Sequence, residues 1–158
     1  MNSGPLQNIS LRKLAAGEDI PYELLLLADE TKEAIDRYIP GAEIYVHEKE
    51  NRPIAVIVLQ AAGNEGIEIK NIAVESGFQG NSIGTAMIHT IAAMAMQRGC
   101  THLLIGTGDH ATRELALYRK LGFKDFKVIK DFFIDNYPEP IFENGNQLKD
   151  MILLKKNI

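Results

Sequence analysis

Between residues 43 and 97 the chain changes its hydrophobic period once, and sharply. Three short β-branched runs come first: Glu43 to His47, Ile54 to Ala61 and Ile67 to Val74. The turn signals Glu50-Asn51-Arg52-Pro53 and Gly63-Asn64-Glu65-Gly66 separate them. Short strands joined by tight turns pair with their neighbours, so this block predicts an antiparallel meander. Ile83, Met87, Ile91 and Met94 then recur at helical spacing, until Arg98-Gly99 supplies a basic last turn and a glycine stop. Around this core, Ile9 to Leu14 reads as a first strand, and Pro21 to Ala28 and Glu30 to Tyr38 as short helices. Downstream, His102 to Gly106 reads as a buried strand and Thr112 to Leu121 as a helix closed by Gly122. Phe123 to Lys130 and Gln147 to Leu154 read as the last strands. Strands, helix, strand, helix, strands is the order of a mixed α/β domain around one sheet. We expect residues 1–158 to form a single domain.

Composition narrows the function. A net charge of −4 opposes binding to nucleic acid phosphates. Ser76 through Gln97 carries no Asp, Glu, Lys or Arg, yet its three glycines and its Gln, Asn and His side chains argue against a membrane span. The opening MNSGPLQNIS lacks a basic n-region and an apolar h-region, so the expectation is a cytoplasmic protein. One cysteine, Cys100, allows neither a disulfide framework nor a zinc spacing, and metal is not expected.

The stretch from Gln79 to Ala86, QGNSIGTA, stands where the long helix must begin. Helix N-termini present unpaired N–H groups and partial positive charge, and small residues let an anion approach the backbone. Gly80, Ser82 and Gly84 are small, and Asn81 or Ser82 is suited to cap the helix. No lysine follows the last glycine, so this is not a Walker A loop, and it is not GxGxxG. On its own the turn fits a capped helix as well as a phosphate cradle.

Its setting is more specific. IEIKNIAV, a short turn, Gln79-x-x-Ser82-x-Gly84, an apolar helix, a strand and then LALYRKLGF together resemble the GNAT superfamily of N-acetyltransferases. The family signature Q/R-x-x-G-x-G/A is filled by Gln79 to Gly84, with Ser82 in place of the middle glycine. Leu117, Tyr118, Gly122 and Phe123 meet L-Y-x-x-x-G-F in full. The resemblance covers residues 42–130. It implies the GNAT fold: a mixed, mostly antiparallel sheet with a central parallel wedge, flanked by helices. It implies an acyltransferase that moves an acetyl group from acetyl-CoA to a primary amine, on a small molecule or a protein, by direct attack in a ternary complex. The pyrophosphate would lie on the backbone of Gln79, Gly80, Asn81, Ser82, Ile83, Gly84 and Thr85. Pantetheine would pair with Ile72, Ala73 and Val74 like an added strand. A homodimer is a further expectation carried by the family.

The resemblance also assigns chemistry. Tyr118 matches the tyrosine that protonates the departing thiolate; an ordinary phenol pKa of about 10 keeps it protonated at neutral pH. Glu68, six residues before Val74, matches a glutamate base. Strand alternation puts Glu68, Lys70, Ile72 and Val74 on one face and Ile67, Ile69, Asn71 and Ala73 on the other. Ala111 stands where the family commonly has asparagine, and Asp109 is expected to serve the cofactor from that loop instead. Cys100 has no His or Asp partner in sequence, which argues against a covalent acyl-enzyme. Among the histidines, His47 is placed nearest a substrate and His89 and His102 read as structural. The segment DFFIDNYPEPIFENGN, residues 131–146, reads as a long loop whose carboxylates and aromatics suit a cationic amine or a subunit contact. The alternative function is a catalytically weak acyl-CoA sensor or interaction module of the same fold.

Overall fold

The structure, a computed structural model, describes residues 8–80 and 82–158. Its frame is a seven-stranded sheet in the order β1-β2-β3-β4-β5-β9-β6. The strands are β1 (Leu11–Lys13), β2 (Glu43–Lys49), β3 (Arg52–Ala62), β4 (Gly66–Val74), β5 (His102–Gly108), β6 (Lys124–Ile129) and β9 (Met151–Asn157). β1 to β4 form the antiparallel meander, β4 and β5 run parallel, and β9 lies antiparallel between β5 and β6. β3 is the centre of the molecule: Ile54 through Leu59 are all at most 2% exposed. A run of consecutive buried residues means that both faces are covered.

One face of the sheet is covered by α3 (Ile83–Gln97) and α4 (Thr112–Lys120), the other by α1 (Tyr22–Leu25) and α2 (Lys32–Tyr38). Met87, Ile88, Ile91 and Ala95 pack α3 onto Ile57, Ile69 and Leu103. Leu25, Ile35 and Tyr38 cover Val46, Val56 and Val58. Thr31 caps α2 by accepting from Ala34 N at 3.1 Å. At the far end of α3, Arg98 donates to both oxygens of Glu43 at 2.7 and 2.9 Å and to the Tyr45 hydroxyl at 3.1 Å.

That fork gives a pH-dependent prediction. The Arg98 hydrogen bond, the largest cause, holds Glu43 at about 2, below its ordinary value of 4.5. Its stabilisation is therefore complete above the ordinary value and fades as pH falls toward 2. Arg98→Ala should cost about 1 kcal/mol at pH 7, the low end for such a pair because Arg98 is 41% exposed. Urea unfolding at pH 7 and in strong acid checks this. A gap between wild type and variant that persists in acid would assign the loss to packing.

Three expectations are corrected. In β4, Val58 opposes Asn71 and Leu59 opposes Ile69, so Lys70 is an extra residue, a β-bulge. The bulge shifts alternation by one: Ile67, Ile69, Ile72 and Val74 all join the core on the α3 side, while Asn71 and Ala73 face α1 and α2. Glu68 and Ile72 therefore do not share a face. The 131–146 segment is also no plain loop. It holds α5 (Phe132–Asn136) and a small hairpin of β7 (Phe142–Glu143) and β8 (Asn146–Gln147). The strand expected from Gln147 to Leu154 is split: Gln147 closes the hairpin, Leu148 is buried beside Gly108, where an added Cβ would lie 2.9 Å from its methyls, and β9 begins at Met151.

Candidate active site

The parallel pairing of β4 with β5 runs only from Gly66↔His102 to Ile69↔Ile105. Beyond it the strands separate, at the point where the bulge adds twist. β4 continues to pair with β3, and β5 with β9, on their other edges. The opened edges form one wall of a cleft of about 860 Å³. The start of α3, the exposed face of α4, the α1–α2 linker and Glu143 complete it.

At one end lies the glycine-rich turn. A 3₁₀ turn, Ser76–Phe78, leads out of β4, and the Gln79 amide donates back to Val74 O at 2.8 Å, fixing the turn against the strand end. Gly80 and Ser82 both adopt left-handed backbone, φ +82° and +62°. That conformation suits glycine and costs a serine about 1 kcal/mol or more. Ser82 occupies the N-cap position of α3, but its side chain makes no capping hydrogen bond, contrary to expectation. The first N–H groups of a 15-residue helix thus face the cleft with no serine oxygen on them. Asn81 lies outside the described residues. A Cβ built on Gly84 meets nothing within 4 Å, so that position opens into free space.

Tyr118 stands on the α4 wall. It is 8% exposed and packs on Phe123, with ring centroids 6.1 Å apart. Burial, and secondarily the charge of Glu114, pushes its phenol up to about 12. The hydroxyl therefore remains a donor throughout the neutral range.

Of the residues assigned from sequence, the cleft gathers Ile72, Ala73, Val74, Gln79, Gly80, Ser82, Ile83, Gly84, Thr85 and Tyr118. Glu68 is not in its lining; it is paired with Lys70 at 3.1 Å. Asp109 is also outside, and accepts from Lys149 N at 3.1 Å, bracing the β5–α4 loop. His47 sits beside the Ser10 backbone on β2, away from the cleft.

Sequence reasoning missed the opposite end of the cleft. Asp29, in the α1–α2 linker, accepts from the hydroxyls of Tyr38 and Tyr137 and from Glu30 N. Burial, the largest cause in each, pushes both phenols well above their ordinary value, so both remain donors to the carboxylate. The Tyr38 hydroxyl accepts in turn from Asn71 Nδ2 at 3.0 Å. This chain joins β4, α2, the linker and the 131–146 segment. Its members are far apart in sequence; only the mixture of acid and aromatic residues in 131–146 gave a signal.

A sheet splayed after a parallel pair, closed by a helix N-terminus that the Ser82 side chain does not cap and by a buried tyrosine, is the arrangement that the sequence resemblance implies for an acyltransferase. The comparisons agree. Residues 11–123 match the sequence model described as Acetyltransferase (GNAT) family, and the chain belongs to that family. It is 35% identical over 150 residues to the uncharacterized N-acetyltransferase YvbK of Bacillus subtilis (strain 168), spanning 93% of this chain and 97% of that protein. Its fold superposes with TM-score 0.91 on a GNAT family acetyltransferase from Elizabethkingia anophelis with acetyl-CoA bound. That protein is 44% identical, with 96% and 99% of the two chains covered. An acetyltransferase from Bacillus subtilis in complex with CoA gives TM-score 0.86 at 33% identity, covering 96% and 99%. Among the described residues no helix is long and apolar enough to cross a membrane.

Proposed function

We propose that the chain moves the acetyl group of acetyl-CoA to a primary amine by direct attack within a ternary complex. The observation that carries this is the opening of the sheet after Ile69 and Ile105, leading to the start of α3. The freed β4 edge at Ile72, Ala73 and Val74 offers backbone groups to the pantetheine amides, as an added strand would use them. The backbone of Gln79 to Thr85, Asn81 included, offers N–H groups and the helix dipole to the pyrophosphate. Relatives of similar length and fold hold acetyl-CoA and CoA, which supports the same co-substrate here.

In this reading the neutral amine attacks the thioester carbonyl carbon. A C–N bond forms, the C–S bond breaks, and the proton released by the amine is balanced by the one that ends on sulfur. Tyr118 donates to that sulfur as charge develops on it. Glu68 stands outside the cleft lining and takes the amine proton through water, the route open to a base held by Lys70. Asp109 acts on the cofactor through the loop it braces.

Calorimetric titration tests the reading. Acetyl-CoA should bind in the micromolar range, with ATP and NAD at least about tenfold weaker, and thiol should be released when an amine is added. Equal binding of all three, or none, would refute it. Tight acetyl-CoA binding with no thiol released to any amine would leave a sensor.

A further inference from the structure

The acceptor end of the cleft has a chemistry of its own. Four carboxylates, Asp29, Glu30, Glu114 and Glu143, line the cleft against two cations, Lys70 and Arg113. Lys70 is already held by Glu68, and Asp29 by its tyrosines. Glu30, Glu114 and Glu143 come from the linker, α4 and β7. Glu143 is half-buried, and its carboxyl is raised by burial first and then by the charges of Glu114 and Glu30, so the three share one field. Among the described residues no three such side chains converge closely enough to hold a metal ion. The charges are spread, as around a larger cation.

Two further observations point to a ligand. Asn71 is 5% exposed and lines the same cleft, and its Oδ1 is buried with no hydrogen-bond partner. The orientation of the amide is fixed, because Leu25 O can only accept and therefore takes Nδ2, at 3.0 Å. What remains is an unused acceptor buried just behind the cleft wall, which calls for an N–H donor. Apolar side chains are also exposed in this cleft: Leu26 at 42%, Leu27 at 51% and Leu117 at 40%.

Resting on the acetyltransferase reading above, we propose that the acceptor is an aliphatic diamine or polyamine. Its methylenes lie along the exposed leucines, its distal ammonium faces Glu30, Glu114 and Glu143, and its reacting amine reaches the buried Asn71 Oδ1 through a small local opening of the cleft wall. A carboxylate at the distal end would be repelled, and an uncharged end would leave the field unused.

The test is a matched four-carbon series, 1,4-diaminobutane, n-butylamine and 4-aminobutanoate, assayed by thiol release at saturating acetyl-CoA. The diamine should exceed the monoamine in kcat/KM by at least about tenfold, and the amino acid should be poorest. Added salt should shrink the diamine advantage. Glu143→Gln and Glu30→Gln should each lower the diamine-to-monoamine ratio at least about threefold, while Glu33→Gln, an exposed acid on α2 outside the cleft, should not. Asn71→Ala should raise KM for both amines alike; an unchanged KM removes Asn71 from the site. A monoamine or amino acid that matches the diamine overturns the proposal. Calorimetry of 1,4-diaminobutane and n-butylamine on the CoA-loaded and the free protein decides the same question without turnover, and equal affinities also overturn it. Acetyl-CoA that binds while the diamine shows no preference sinks this inference alone. Absent acetyl-CoA binding sinks the parent reading, and the diamine titration still scores this one.

Discussion

Gly84→Glu should weaken acetyl-CoA binding about a thousandfold while leaving the fold at least as stable. The two effects have separate causes. A Cβ at Gly84 meets nothing within 4 Å beyond its own helix and chain neighbours, and its backbone is not left-handed, so the substitution starts into open space without backbone strain. It replaces glycine in the first turn of α3 with a better helix former and places a negative charge at the positive end of the dipole. Each effect stabilises the protein alone. The same charge lies where the proposed pyrophosphate must sit. Two like charges about 4 Å apart at an effective dielectric of about 20 repel by roughly 4 kcal/mol, or about three decades in affinity. Calorimetry with acetyl-CoA and a thermal melt on one preparation measure both. Gly84→Ala separates bulk from charge and should cost far less. A glutamate variant with unchanged affinity would show that the turn serves only to start the helix.

Tyr118→Phe should lower kcat about 10- to 100-fold and leave acetyl-CoA affinity nearly unchanged. The ring stays in its contact with Phe123, so only the hydroxyl is lost. The upper bound follows from acidity. A phenol pushed up to about 12 is a much weaker acid than a thiol, whose ordinary value is about 8.5. It shares its proton with the developing thiolate more than it surrenders it, and the loss is that of one hydrogen bond to charge. The raised value also predicts that Tyr118 adds no alkaline limb to the rate profile until close to pH 12. Equal losses in binding and turnover, or no loss in either, would remove Tyr118 from the chemistry.

The meander and the α3 helix were legible because short β-branched runs between turn signals, and then apolar residues at every third or fourth position, carry them; the turn at Gln79 to Gly84 was legible only through its resemblance to a family signature. The β4 bulge was not. IEIKNIAV contains no glycine or proline to announce an extra residue, and register is set by β3, not by β4 itself. Missing it turned Asn71 to the wrong side of the sheet. The end of the cleft around Asp29 and Glu143 was illegible for a different reason. α5 has five residues and β7 and β8 two each, lengths that hold no period. They are held by tertiary contacts: Arg37 donates to Asn136 O at 2.8 Å and Phe133 N to Lys149 O at 3.0 Å.

The link between Tyr137 and Asp29 joins residues 108 positions apart. It fastens the 131–147 segment, which lends Glu143 to the cleft, against the α1–α2 linker; beyond these two, the lining comes from residues 69–118. The family match ends at residue 123, before that segment begins. The family model thus describes the sheet opening and the glycine-rich turn but not the segment. Changes confined to the segment, with the Tyr137 anchor kept, should shift the choice of acceptor before they weaken acetyl-CoA binding, and a matched comparison of the two affinities on such variants reads the difference.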